Sequence, residues 1–488
     1  MFPDLTLRFR RHLQDPRRVL WRLGIFVAVS FVLILATTKG WPSGFLSVDP
    51  TSLSAAEFGN FTQAVKHYAD NPINAPYKGQ FWEVGQRSRQ LTQWLSRAAK
   101  LNPKSKARQQ LLSATETTAQ QLFPFLQKPS PNPRSRSPLT DLRDSLDKGS
   151  RGIVIPVGGG EQSVRFAGHL IVSLRNVLGC KLPIQIVYAG DEDLSQDSRT
   201  QISRLEGAKD VEFLDIFTVF DDSTMKLKDG GWAIKAFAIL ASRFEEVILM
   251  DADAVFLQKP EALFDQKIYM DKGAYLFHDR LLWQHAFQDR HEWWKDQIKV
   301  PSPEMNSSRV WMEDYAEECD SGVVVADKSR VQVLVGLLHV AWQNTYEVRE
   351  EVTYRLGHGD KESWWLGLEL AGSTYGFEAH YGSMMGWADD PSGANVTEVC
   401  SFVIAHVDQK QHLIWYNGSL LKNKRVDPNG YQVPDHWMVD GNWKKGRTKD
   451  DMSCMTDSKA NELTYQEKRV LVESIAAAKK VDEALSSE

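Results

Sequence analysis

The sequence predicts an α/β protein built on a doubly wound, mostly parallel sheet, preceded by a transmembrane helix and a helical stem. Three observations carry that expectation. From about residue 150 onward, short continuous apolar runs alternate with helix-spaced segments, the pattern of strands buried on both faces by crossover helices. One of those runs, Val247-Ile248-Leu249-Met250, ends in the paired carboxylates Asp251 and Asp253, and open α/β sheets bind ligands at the carboxyl ends of their strands. Near the N-terminus an uncharged apolar stretch follows a cluster of arginines.

That stretch, Leu23 to Ala36, has Arg8, Arg10, Arg11, Arg17, Arg18 and Arg22 before it and only Lys39 close behind. Residues 19–38 reach the roughly 20 residues a span needs once Arg22 snorkels to the headgroups. The positive charge places residues 1–18 in the cytoplasm as a tail and the bulk of the chain in the lumen. A cleaved signal peptide is the rival, but the basic leader is long and Ala36-Thr37-Thr38 is a poor cleavage site. Sequons at Asn60, Asn306, Asn395 and Asn417 agree with a lumenal bulk.

Residues 39–150 read as stem and linker. Leu91, Trp94, Leu95 and Ala98, then Leu111, Leu112 and Leu122, predict amphipathic helices broken near Asn102-Pro103. Lys128 to Pro138, with Pro129, Pro131 and Pro133 among Ser and Arg, reads as a semi-rigid linker or exposed loop. The catalytic domain is expected over 151–460. Its predicted strands are Gly152 to Val157, Ile184 to Tyr188, Val211 to Leu214 and Val247 to Met250, with helices through Leu170 to Leu178, Asp193 to Leu205 and Trp232 to Phe244. Residues 461–488 form a C-terminal surface helix.

At 42% apolar and 25% charged, the 488 residues suffice for two or three folded units, and a net charge of -5 argues against a nucleic-acid binder that works by neutralising phosphates, so that any basic patch must be local. The cysteines, Cys180, Cys319, Cys400 and Cys454, lack zinc-site spacing, and their three full pairings stay open. Cys180, beside Leu182-Pro183-Ile184, reads as a small buried hydrophobe.

The chemistry concentrates at Asp251-Ala252-Asp253. Two acids one residue apart repel unless a cation joins them, and a hard ion, Mn²⁺ or Mg²⁺, shares its oxygen shell between carboxylates and substrate phosphates. Such an ion stabilises the charge that grows on a departing diphosphate. The same pattern also describes a solvated turn, or the loop of a haloacid-dehalogenase-type phosphatase with Asp251 as nucleophile. Other candidates have bland readings beside the functional ones. Lys235 on a helix is a solvated face; Asp191 and Asp193 cap the following helix; Asp360 and Glu362 suit any helix's first turn; His406 ends a strand. Trp283, Trp293, Trp294 and Trp311 mark either an acceptor-side lobe or ordinary core.

From about Gly152 to Lys424 the chain resembles the fungal α-1,2/α-1,3-mannosyltransferase family, type II membrane proteins of the Golgi with a GT-A-like fold. The resemblance lies in Gly152-Ile153-Val154-Ile155, Leu182-Pro183-Ile184 with Tyr188 and Gly190-Asp191-Glu192-Asp193-Leu194, Lys235 ahead of Asp251-Ala252-Asp253, Asp320-Ser321-Gly322-Val323, Gly359-Asp360-Lys361-Glu362, and Trp415-Tyr416-Asn417-Gly418-Ser419. Trp364 stands where the pattern has phenylalanine, and Gly158-Gly159-Gly160 has no place in it. The resemblance implies a retaining transfer of mannose from GDP-mannose to the α-mannoside terminus of an N- or O-linked glycan. It implies Mn²⁺ (or Mg²⁺) on Asp251, Asp253 and His406, with His412 as second choice for the last ligand. It implies donor binding by Lys235, Asp191, Asp251, Ser321 and Gly322, catalysis by Asp360 and Glu362, and a complex with other glycosyltransferases. A non-catalytic lumenal glycan-binding protein is the remaining alternative to the transferase and the phosphatase.

Overall fold

The computed structural model describes residues 53–486 apart from 129–131, 230, 391–395 and 449. The expected cytoplasmic tail and membrane span lie outside the described residues, as does Asn395; among the described residues no helix is long and apolar enough to cross a membrane.

The expected apolar runs become the centre of the main sheet: β1 (Asp147–Pro156), β2 (Ile184–Tyr188), β3 (Glu212–Asp215) and β4 (Phe244–Met250), paired in parallel with Ile153 opposite both Ile184 and Ile248. A short β5 (Ala254–Phe256) leaves this sheet, and β6 (Ala274–His278), β7 (Cys319–Asp327) and β8 (Gly376–Phe377) complete it in the order β3-β2-β1-β4-β7-β6-β8. Only β7 is reversed, antiparallel to both β4 and β6, so the sheet is mixed rather than purely parallel. The reason lies in the connection. β6 ends at His278 and β7 starts at Cys319 directly opposite it, so the tryptophan-rich helices between them leave and re-enter at one edge of the sheet. Asp320, Ser321 and Gly322 are thereby delivered to the carboxyl end of β4.

The segment read as a stem belongs, from Ala56 onward, to the same compact unit as the main sheet. The Phe81–Lys100 helix buries Phe81, Val84, Leu91, Trp94, Leu95 and Ala98, and packs on the Val331–Gln343 and Lys361–Ala371 helices. The Phe81 ring meets Trp293 and Trp342, each at 4.9 Å between centroids. Gly85 permits the closest approach, since a Cβ there would lie 2.7 Å from the Leu370 carbonyl oxygen. An amphipathic stripe shows that a helix has a buried face, and here that face is covered by residues some 250 positions further along the chain.

Beyond residue 380 the chain turns to short antiparallel strands: β9 (Met384–Ala388), β10 (Glu398–Ser401), β11 (Ile404–Val407), β12 (Leu413–Asn417), β13 (His436–Met438), β14 (Asn442–Lys444), β15 (Ser453–Thr456) and β16 (Asn461–Glu462). They make a six-stranded sheet, β14-β15-β10-β9-β13-β16, and a three-stranded one, β11-β12-β5. A Cys400–Cys454 disulfide ties β10 to β15, while Cys180 and Cys319 are free and buried. The Tyr465–Ser486 helix is a surface helix with one face on the Glu161–Val172 helix, and its Asp482 pairs with Arg165 and His169.

Phe81→Ala should cost about 3–5 kcal/mol, the usual penalty for emptying a buried aromatic site. Chemical denaturation should show the loss in the main unfolding transition, not in a separate early one belonging to a detachable stem.

Candidate active site

The site grows from the end of β4. The Asp251 backbone N–H donates to the Gly322 carbonyl at 2.8 Å, so the reversed β7 fixes the loop that carries the carboxylate pair. Lys235 lies in the first turn of the Ile234–Ala241 helix, which ends just before β4. Its Nζ is 3.0 Å from Asp251 Oδ1, 3.1 Å from Asp360 Oδ2 and 2.9 Å from Ser321 Oγ. Asp360 stands immediately before the Lys361–Ala371 helix, and the Trp364 indole N–H donates to it at 2.7 Å. The departure from phenylalanine at position 364 thus supplies a hydrogen bond.

Lys235, Asp360 and Ser321 are all buried. Burial works against the Lys235 charge, but Asp251 and Asp360 more than offset it and hold the ammonium above its usual range. For Asp251 burial dominates: against the pull of Lys235, and helped by Asp253 and Asp360, it pushes the carboxyl up to about 6.

In front of this cluster lies a cleft of about 620 Å³, lined among others by Gly158, Gly159, Trp232, Lys235, Asp251 and Asp253. Trp232 is 52% exposed and offers its ring to the cleft. The glycine loop that the family pattern could not place now has a function in the geometry. A Cβ on Gly158 would fall 2.1 Å from Asp193 Oδ1, and Gly159 has a φ of +74°, a conformation glycine tolerates and most residues avoid. Asp193 accepts hydrogen bonds from the Gly159 and Ala189 N–H groups at 3.0 and 2.9 Å, stitching the loop after β1 to the loop after β2.

Several expected residues stand elsewhere. Asp191 does not line the cleft; its carboxylate is 79% exposed and pairs with Arg199 at 2.8 Å, so the acid at the cleft is Asp193. Glu362 points into the core, accepting from the Glu318 N–H at 3.1 Å and the Trp365 indole at 2.6 Å, and burial pushes its carboxyl up to about 8. Asp360 acts through Lys235 and does not line the cleft. Ser321 and Gly322 likewise support Lys235 and Asp251 from behind.

His406 is buried between Trp415, stacked at 4.3 Å, and Phe277 at 5.1 Å, with Nε2 hydrogen-bonded to Asp320 at 3.0 Å. Burial opposes the Asp320 charge, but His406 holds that carboxyl well below its usual range. Among the described residues Asp251, Asp253 and His406 do not gather into a three-ligand cluster; the only such group is Glu398 with Cys400 and Cys454, whose sulfurs are joined to each other. His412 pairs with Asp408 at 3.3 Å. Asn417, read as a sequon, donates its side-chain amide to Asp320 at 3.1 Å. That amide nitrogen is thus engaged with Asp320 in the folded chain.

Sequence reading missed Lys424, which forms an ion pair with Asp253. Its signal was the basic run Lys422-Asn423-Lys424-Arg425 just after the Trp415 to Ser419 motif. Asp251 and Asp253 remain as two oxygen donors at the cleft, a set that fits a hard divalent ion whose other ligands come from phosphate and water.

A family model described as "Mannosyltransferase putative" matches residues 150–408, more than half of the 488-residue chain. The chain is 32% identical over 275 residues to alpha-1,3-mannosyltransferase MNT3 of Saccharomyces cerevisiae, covering 49% of this chain and 42% of that protein. It is 26% identical over 349 residues to alpha-1,3-mannosyltransferase MNN1 of the same yeast, covering 60% and 43%. The chain thus spans about half or less of the length of these relatives. Among solved structures, galactosyltransferase LgtC in complex with donor and acceptor sugar analogs is 16% identical with a TM-score of 0.31, over 46% of this chain and 73% of that one. Mouse xyloside xylosyltransferase 1 is 12% identical with a TM-score of 0.28, over 45% and 80%.

Lys235→Ala leaves the buried Asp360 and the half-buried Asp251 without their cation and should destabilise the protein by about 3 kcal/mol, read by urea denaturation. Glu362 makes stability depend on pH. Unfolded, its carboxyl ionises near 4.5; folded, it keeps its proton up to about 8. The folded state therefore binds more protons in that window, and stability falls as pH rises through it by up to about 1.4 kcal/mol per pH unit. Glu362→Gln should flatten that slope, seen as urea midpoints that decline less than those of the wild type between about pH 5 and 8.

Proposed function

The chain belongs to the mannosyltransferase family, and on that premise we propose that it moves mannose from GDP-mannose to a mannose-terminated N- or O-linked glycan, forming an α-1,3 linkage with retention of configuration. The observation that carries this reading is the Asp251–Asp253 pair at the end of β4, facing a cleft and backed by the buried Lys235–Asp360 pair. The linkage follows the names of the yeast relatives. Family membership favours a transferase over the phosphatase reading.

In this reading Asp251 and Asp253 would hold Mn²⁺ or Mg²⁺, which when bound would supply positive charge to the departing diphosphate. The chain's own residues do the rest of the positioning. Lys235 and the Gly322 carbonyl fix Asp251, so the carboxylate meets the donor without reorganising. Lys424, held at Asp253, is a second cation facing the same leaving group. Gly159, where a side chain would meet no protein atom, lets the chain approach the nucleotide closely, and Trp232 offers an aromatic face. We place the protein in the Golgi membrane as a single-pass type II protein with this unit in the lumen. The arginine-flanked apolar stretch supports that placement, and so does the Cys400–Cys454 disulfide, a bond typical of oxidising compartments.

The test is transfer of label from GDP-mannose to α-linked mannobiose by the purified full chain, with Mn²⁺ or after chelation, beside a UDP-sugar control. Asp253→Ala and chelation should each lower kcat/KM by roughly 100-fold or more, and linkage analysis of the product should give α-1,3. Failure of the folded protein to transfer from any nucleotide sugar overturns the reading.

A further inference from the structure

On the other side of Lys424 lies a second pocket, of about 290 Å³, that no expected site residue explains. Arg280, Lys422, Lys424, Arg425 and Lys445 all line it, and Asp451 is the sole carboxylate among its lining residues. The Asp451 carboxylate already accepts from the Thr448 N–H and hydroxyl at 2.9 and 3.1 Å. The cations come from three places: Arg280 follows β6, Lys422 to Arg425 follow β12, and Lys445 follows β14. Several of them are held in place. Arg280 bonds Asp279 at 3.1 Å and lies over the Trp443 ring at 5.7 Å, while Lys422 lies over Trp387 at 4.6 Å. Like charges gathered in one concavity are costly unless an anion joins them.

A second observation points to a ligand independently. Asn423 lines the same pocket, is only 7% exposed, and its side-chain amide nitrogen has no hydrogen-bond partner. Buried donors are almost always satisfied in a folded protein, so an orphan at a pocket wall marks a contact still to be made. Trp443 also lines the pocket, its ring fixed by an indole hydrogen bond to the Gly382 carbonyl at 2.8 Å. Asn417 joins the pocket to the catalytic edge through Asp320.

We propose that this pocket is an acceptor subsite for a sugar that carries a phosphate group, with the sugar ring against Trp443 and the phosphate among Arg280, Arg425, Lys445 and the Asn423 amide. It rests on the transferase reading, which requires an acceptor beside the donor cleft. A neutral mannoside has no charge to match such a lining, whereas arginine forks and ammonium groups are the side chains that bind phosphate well. The donor diphosphate belongs to the cleft with Asp251 and Asp253, and of the five cations only Lys424 borders both spaces.

The full chain would be titrated with methyl 6-phospho-α-mannoside, methyl α-mannoside, inorganic phosphate and GDP. It would then be assayed for transfer from GDP-mannose to α-mannobiose and to its 6-phosphorylated form. Arg425 and Lys445 are exposed, so the double variant Arg425→Ala/Lys445→Ala should fold. The phosphorylated sugar should bind more tightly than either the neutral sugar or phosphate alone. In the double variant its affinity, and the ratio of kcat/KM for phosphorylated over neutral acceptor, should fall roughly tenfold while GDP affinity holds. An equal loss of GDP affinity assigns the cations to the donor and overturns the proposal. Equal affinity for inorganic phosphate, or no preference for the phosphorylated sugar, overturns it too. If GDP-mannose proves not to be the donor, the binding titrations still decide the pocket's ligand, so the two readings fail separately.

Discussion

Everything at the candidate site hangs on one buried ammonium. Lys235 is a charge with almost no access to water, and the two carboxylates and the hydroxyl around it come from three distant stretches of chain: Asp251 after β4, Ser321 in β7 and Asp360 before the Lys361–Ala371 helix. A charge so placed is tolerable only when its partners are close and well aligned, because the interior that strengthens each contact also penalises each missing one. The cluster therefore enforces a register among a helix, a strand end and a second helix. Asp251 is held at the cleft by Lys235 on its carboxylate and by the Gly322 carbonyl on its backbone N–H.

The reversed strand makes that cluster reachable. Had β7 run parallel to β4, its first residues would lie at the far edge of the sheet, and neither Ser321 nor the Gly322 carbonyl could meet Asp251. The tryptophan-rich excursion between β6 and β7 is what returns the chain to the correct edge. Its side chains largely build core: Trp294 packs edge-on against Trp365 at 5.1 Å, and Trp293 meets Phe81 of the helix once read as stem. The structural reading of those tryptophans thus prevails over the acceptor-lobe reading for this pair, and the helix at residues 81–100 is part of the scaffold behind the site.

Charge is divided across the site by Lys424. On one side of it are Asp251, Asp253 and a glycine-lined cleft; on the other is a wall of arginine and lysine with an unsatisfied amide. A net charge of -5 conceals this arrangement completely, since a local field depends on where charges meet and not on their sum.

The sequence by itself determined what is local. Largely apolar runs specified β1, β2 and β4, because a strand buried on both faces carries little that is polar, Gln185 in β2 being a buried exception, and a carboxylate pair directly after such a run had to emerge at the sheet's carboxyl edge. The stripe on residues 81–100 announced a buried face. Tertiary structure decided which of several equivalent neighbours faces the cleft. Asp191 and Asp193 sit on one turn, and only the approach of Gly158 selects Asp193. Asp360 and Glu362 are two residues apart at a helix start, a spacing that sends their side chains to opposite sides, one to Lys235 and the other to the core. His406 looked like a ligand until Asp320 and Trp415 enclosed it. Apart from the strand that ends at His406, the small C-terminal strands were not legible for the same reason: elements of two to five residues carry almost no periodicity of their own and exist through pairing with partners far along the chain.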